Sequence, residues 1–273
     1  MMNENQDKRN ENWAIDTHGH LGQLGGLPQK HLEQEFCTLS MEQLKRQYQQ
    51  AEVKIAMVSS MEGLFYVDGL GVKEGNQRLE ELVSKTDWLY QWVIVNPLEP
   101  KTYYQAEIIL KNPKCVGVKV HPEAHHFPIK EYGEELFSFC SQQKAIMQIH
   151  SGEANSMPED MVAFADNYPE VTVIAAHLGC GSDGDPSHQV RAIKRCKNGN
   201  IYTDISSVRS ILPGILEWAV EQIGVEKLLF GTDTPLHHIG MMKARVIYSE
   251  LSHEQKQRIL HKNAGKLFHL KIV

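Results

Sequence analysis

The chain has 273 residues, 41% of them hydrophobic and 23% charged, with a formal net charge of −6, enough apolar material for one sizeable core. The acidic balance argues against a nucleic-acid backbone as the main partner, and no run approaches the ~18 apolar residues of a membrane span. Five cysteines without a Cys-x-x-Cys pair read as free thiols, and residues 1–12, polar and lacking the apolar stretch of a signal peptide, read as a flexible segment ahead of one cytoplasmic domain over 13–273.

Apolar, β-branched runs then alternate with segments of helical spacing. The first run, Trp13 to His20, ends in Asp16-Thr17-His18-Gly19-His20. Strand alternation turns Asp16, His18 and His20 to one face, and two imidazoles two residues apart can grip one divalent metal. A pair of partly buried, hydrogen-bonded histidines is the competing reading. Leu21 to Leu39, with Gly22, Gly25 and Gly26, reads as a loop able to move. Ser40 offers a helix cap with Gln43 three residues on, ahead of a second strand from Val53 to Ser59. Met61 to Tyr66 follows as another glycine-bearing loop, whose Phe65 and Tyr66 are candidates for an apolar wall.

Leu79, Leu82 and Val83 keep helical spacing before the third run, Trp88 to Asn96. Cys115 to His121, Ala145 to His150, Val171 to His177, Asn200 to Ile205 and Lys227 to Asp233 complete the set, and Pro100, Pro158 and Pro213 stand where first helical turns begin. Strands alternating with helices imply parallel βαβ units, and this number and order match a single-domain α/β fold of the (β/α)8 TIM-barrel type. An open doubly wound sheet is the rival, but no Gly-x-Gly-x-x-Gly follows the first strand.

The polar residues of interest fall at one end of these runs: His18 and His20, Lys119 and His121, His150, His177, Asp204 and Asp233. In a parallel barrel those ends meet at the C-terminal mouth. Imidazole and carboxylate together suit zinc, manganese or iron. Alternation turns both Lys119 and His121 inward, so each can meet the metal or a substrate; a lysine paired with a carboxylate inside the barrel is the alternative. Arg209, after the seventh strand, is a candidate carboxylate clamp. His125, His126, His237 and His238 read as mostly solvated residues near the mouth, and Cys180 as a thiol that a metal-water mechanism does not need.

These motifs resemble the amidohydrolase superfamily, and within it the amidohydrolase-related group that includes aminocarboxymuconate-semialdehyde decarboxylase. The matching stretches are Ile15 to His20, Gly117 to Pro122, Ile149 to Gly152, Ala176 to Gly179, Phe230 to Pro235 and the closing Ile259 to Phe268. The resemblance implies that His18, His20, His150 and Asp233 bind a divalent metal, and that His177 polarises substrate, assists water or binds a second metal. It leaves Lys119 either as a carboxylated bridging ligand or as part of a mononuclear site, with one metal, zinc first, favoured over two.

The chemistry expected is hydrolysis of an amide, ester or lactone in a small metabolite, an anionic one among the candidates. The metal would lower the pKa of bound water, Asp233 would take its proton, and His177 would stabilise the oxyanion. His121, Lys119 and Arg209 are the substrate-binding candidates. The alternative is non-oxidative decarboxylation on the same platform. A TatD-type deoxyribonuclease is disfavoured by Lys119, which stands where that type has a glutamate, and a non-catalytic ligand-binding barrel by the full ligand set. A homodimer is in keeping with the group.

Overall fold

The computed structural model describes residues 12–25, 32–67 and 69–270. The expected flexible segment over 1–12, apart from Asn12, and Gly26 of the first loop lie outside them. Eight strands form one parallel sheet in the order β1 to β8: Ala14–Leu21, Val53–Ser60, Leu89–Ile94, Cys115–Val120, Met147–Ile149, Val173–Ala175, Ile201–Asp204 and Leu228–Leu229. Helices and helical turns separate the strands. The fold is the (β/α)8 barrel expected.

Two apolar layers hold it. Between strands and helices lie clusters such as Leu44, Tyr48, Val58 and Phe230 on one side and Val118, Phe137, Met147 and Ile201 on the other. Inside the barrel, Ile15, Met57, Trp92, Ile174 and Leu229 pack as an apolar plug with Ala264 from the C-terminal helix Asn263–Leu267. Above the plug the interior turns polar, with Lys119 and Gln148 both fully buried. The Trp92 indole Nε1 donates to Thr17 O at 2.9 Å, tying plug to site floor.

β1 departs from strict alternation. Its register against β2 slips between Asp16 and Gly19, and one extra residue at a bulge reverses which face the following residues take. His18 and His20 therefore face the interior as expected, but Asp16 does not share their face. Its carboxylate accepts from Tyr48 Oη at 2.9 Å, and Tyr48 belongs to the outer helix Met41–Gln50.

The eighth run is likewise shorter as a strand than its apolar character suggests. Only Leu228 and Leu229 pair with β7. From Phe230 the chain crosses to β1: Thr17 N donates to Phe230 O at 2.9 Å, Asp233 N to His18 O at 2.7 Å and His20 N to Thr234 O at 2.7 Å. Gly231 permits this approach, since a Cβ there would stand 2.9 Å from the Cβ of His18. The crossing closes the seam and brings Asp233 over the two β1 histidines.

Ser40 and Gln43 form the expected capping box, and Leu79 and Val83 are buried while Leu82 faces out. Pro158 opens a 3-10 turn, but Pro100 only precedes its helix, and Pro213 stands outside the helix Ile215–Ile223. The Met61 to Tyr66 segment is no mobile loop. Met61–Phe65 is a short helix capped by Ser60, and Gly63 is buried because Gly75 packs against its backbone.

Candidate metal centre at the barrel mouth

His18 and His20 leave β1 pointing up into the barrel, and Asp233 descends on them from the crossing segment. Asp233 Oδ1 lies 2.8 Å from His20 Nε2 and 3.3 Å from His18 Nε2. These three side chains form one group able to hold a metal ion; His18, His177 and Asp204 form another. All five residues are buried. Burial raises the Asp233 carboxyl, but the His20 hydrogen bond and the charges of His18 and His177 outweigh it and hold Asp233 well below the usual carboxylate value. Burial pulls His20 down to about 4 and lowers His18 as well.

Asp204, at the end of β7, is the hub beneath. It accepts from His18 Nδ1 at 2.9 Å, from the His177 backbone N at 3.0 Å, and from the Ser206 hydroxyl in a very short contact. Burial raises it, yet His18, His177 and Ser206 bring it below its ordinary value. Lys119 Nζ sits 2.8 Å from His18 Nε2 and 3.1 Å from Gln148 Oε1. Burial lowers this amine to about 8 against the pull of Asp233 and Asp204.

A carboxylate only accepts, so Ser206 donates its single hydrogen to Asp204, and Ser206 Oγ must accept from His177 Nδ1 at 2.7 Å. Glu153, its carboxyl lowered by His150, accepts from His150 Nε2 at 2.8 Å. The other two nitrogens, His150 Nδ1 and His177 Nε2, face each other at 2.9 Å, a contact that one shared proton satisfies as an ordinary hydrogen bond and that a cation can replace. With the His18, His20 and Asp233 donors near them, they are of the imidazole–carboxylate types that a divalent cation takes.

His177 and Asp233 both adopt left-handed backbone, with φ of 70° and 58°, a conformation uncommon outside glycine. Held this way, each turns back over the mouth just past its strand.

The cavity above measures about 360 Å³ and is lined by His18, His20, Phe65, His121, Glu123, Ala124, His150, Glu153, Asp233 and Leu236. His121 stacks on His150 with ring centres 3.9 Å apart. Its Nδ1 accepts from Ala124 N at 3.2 Å, and burial keeps the ring neutral by lowering it well below the usual histidine value. The N–H is therefore on Nε2, which has no partner among the described residues. Phe65 supplies the expected apolar wall, whereas Tyr66 turns away to hydrogen-bond Glu99.

The structure thus brings together His18, His20, Lys119, His121, His150, His177 and Asp233. Arg209 is not among them: it is exposed on the 3-10 turn Val208–Ile211, outside the cavity lining. His125 is buried and bonds Gly63 O at 3.0 Å, contrary to the solvated position expected. His237 bonds Ser206 O at 2.8 Å. Burial raises the Cys180 thiol, which suits no nucleophile. Sequence reasoning left Asp204 without a role and passed over Gln148, Ser206 and Glu153. Gln148 and Ser206 stand two residues from His150 and Asp204, a spacing that could have flagged both.

A family model for amidohydrolases matches residues 15–270, and the chain belongs to that family. Among solved structures it resembles 2,6-dihydroxybenzoate decarboxylase from Rhizobium, with a TM-score of 0.73 at 11% identity over 94% of this chain and 99% of that one. It also resembles 5-carboxyvanillate decarboxylase from Sphingomonas paucimobilis, with a TM-score of 0.73, 12% identity, and 95% and 99% covered. A dihydroxybenzoic acid decarboxylase from Polaromonas with bound manganese gives a TM-score of 0.73 at 14% identity over 96% and 98%. At these identities the likeness concerns the fold. No curated protein matches the sequence. No helix among the described residues is long and apolar enough to cross a membrane.

Proposed function

We propose that the chain is a metal-dependent hydrolase acting at an amide, ester or lactone carbonyl of a small substrate, with His18, His20, His150 and Asp233 holding one divalent cation. The observation that carries this is the convergence of the His18, His20 and Asp233 donors in one buried group on a cavity that His150 also lines. A divalent cation held there would supply Lewis acidity toward a carbonyl oxygen and acidify water. Zinc and manganese both suit the donors.

The chain's own groups divide the remaining work. His121 offers its Nε2–H to the carbonyl oxygen as charge develops on it. His177, its Nδ1–H committed to Ser206, presents an acceptor at Nε2 and takes a proton rather than giving one. Asp233, ionised, accepts a proton from water and returns it to the leaving group. Lys119 stays beneath, balancing Asp233 and Asp204. This arrangement moves oxyanion stabilisation from His177 to His121, because a neutral ring whose one N–H points at a serine has none left for substrate.

Hydrolysis is preferred to decarboxylation on the charge of the lining. Glu123, Glu153 and Asp233 bring three carboxylates to the cavity and no arginine or lysine lines it, so the lining stays net negative even with a divalent cation bound. Such a wall opposes a carboxylated ring and favours a neutral or amine-bearing substrate. With Arg209 elsewhere, the expectation of an anionic metabolite loses its clamp. The test is turnover of lactone, ester and amide panels beside carboxylated aromatics, with metal content measured in parallel. Hydrolysis lost by orders of magnitude in folded Asp233→Ala supports the reading. Carbon dioxide release from carboxylated aromatics without hydrolysis turns it to the lyase, and full activity of the chelated protein overturns the metal.

A further inference from the structure

We infer that Glu153 is a positioning residue that fixes the proton of His150 on Nε2 and so presents the Nδ1 lone pair to the metal centre. The inference rests on the metal-centre reading above and adds a residue that neither motif nor strand spacing selects. Glu153 lies three residues past His150 in the loop after β5, with its Oε2 at 2.8 Å from His150 Nε2. An isolated imidazole divides its proton between the two nitrogens, and only the nitrogen without it can ligate. A carboxylate accepts and never donates, so a neutral His150 bonded to Glu153 carries its proton on the outer side.

His177 Nε2, itself an acceptor at 2.9 Å from His150 Nδ1, competes for the same proton, and the Glu153 carboxylate, the stronger acceptor by its charge, draws it to the outer side. The His121 ring lies flat against His150, with 12° between planes, and blocks rotation without a hydrogen bond. Stacking sets the plane of the ring; Glu153 sets which nitrogen is bare. Glu153 is also half exposed at the cavity rim, so its replacement leaves the buried core untouched.

The experiment uses the full chain with manganese(II) alone as probe. Its dissociation constant is measured by chelator competition for wild type, Glu153→Ala and Glu153→Gln, with the melting of each metal-free protein as fold control. Carboxylate partners of ligating histidines contribute roughly 10–100-fold in metal affinity. Alanine should weaken binding by that factor, while glutamine, whose amide oxygen still accepts from Nε2, should stay within about threefold of wild type by the same hydrogen-bond inventory.

The 15N shifts of the metal-free His150 ring give a second, metal-independent reading. The ring should be protonated on Nε2 in wild type and Glu153→Gln, and in Glu153→Ala the proton should move to Nδ1, toward His177. Unchanged affinity in Glu153→Ala overturns the inference, as does a wild-type ring protonated on Nδ1. Equal losses in both variants place the effect on charge rather than on the proton and overturn it too. A wild type that binds no manganese or other divalent ion brings down the metal-centre reading instead, and the ring shifts then report on Glu153 alone.

Discussion

Asp16 offers the sharpest test of how the seam is built. Its Oδ1 accepts the backbone N–H groups of His18 and Thr232, each at 3.0 Å, and its Oδ2 accepts the hydroxyls of Tyr48 at 2.9 Å and Thr232 at 2.5 Å. One side therefore meets donors that cannot reverse and the other meets hydroxyls that can. Asp16→Ala orphans the buried His18 N–H and the Tyr48 hydroxyl, whereas Thr232 keeps acceptors in His18 O at 3.2 Å for its N–H and Thr234 Oγ1 at 2.7 Å for its hydroxyl. An orphaned buried donor costs ~1–3 kcal/mol, so the total is about 3–4 kcal/mol. For a chain of this size that is a fall in Tm of roughly 8–12 °C.

Asp16→Asn should behave quite differently. The amide oxygen serves the two backbone donors, while its NH2 faces Tyr48 and Thr232, which can rotate to accept. Burial raises the Asp16 carboxyl to about 7, so above that pH only the charge assistance is lost, ~1–2 kcal/mol. Urea denaturation of the three proteins, followed by circular dichroism, measures both differences. Equal losses in the two variants refute the reasoning, since they place the effect in the charge of Asp16 and not in the fixed direction of its donors.

Three further outcomes follow from the structure. Gly117→Ala places a Cβ 2.3 Å from Ile146 O, the acceptor of the Val118 N–H, and 2.7 Å from the Trp92 ring; the loss should be about 2–3 kcal/mol in the same denaturation assay. Chelation should lower the melting temperature of the metal-loaded protein, because an ion at 100 times its Kd stabilises by about 2.7 kcal/mol, and His18→Ala should abolish that difference in a thermal scan. His188 supplies the pH dependence. Burial lowers it, but hydrogen bonds to Asp183 and Glu159 outweigh this and raise it, with Arg191 opposing from 2.7 Å. A raised folded pKa means stabilisation that is complete below the unfolded value near 6.5 and lost as pH rises through the folded one. The stability gap between wild type and His188→Gln should be larger at pH 5.5 than at pH 8.5, and a gap that widens with pH contradicts the sign.

What could be read beforehand divides along physical lines. Strand ends bearing His18, His20, Lys119, His150 and Asp233 were legible because a parallel barrel converts order along the chain into a ring in space. The β1 bulge was not, because one slipped residue leaves no trace in hydrophobic alternation, and so Asp16 was placed on the wrong face. The short β8 was hidden for a related reason: Phe230 to Asp233 look like strand, but Phe230 N donates to Ile259 O and the ladder from Phe230 O onward goes to β1. Arg209 and Glu153 show the limit in loops. Each lies past the last strand residue, where spacing no longer says which way a side chain turns, and one faces solvent while the other grips His150.

The left-handed backbone at His177 and Asp233 sets evolutionary pressures against each other. Each such conformation costs a bulky L-residue ~1 kcal/mol or more relative to glycine. A population selected for heat resistance alone would drift toward glycine or asparagine at these two positions and arrive at a sturdier, inert barrel. Resistance to that drift in a selection demanding turnover would mark both residues as kept for what they do.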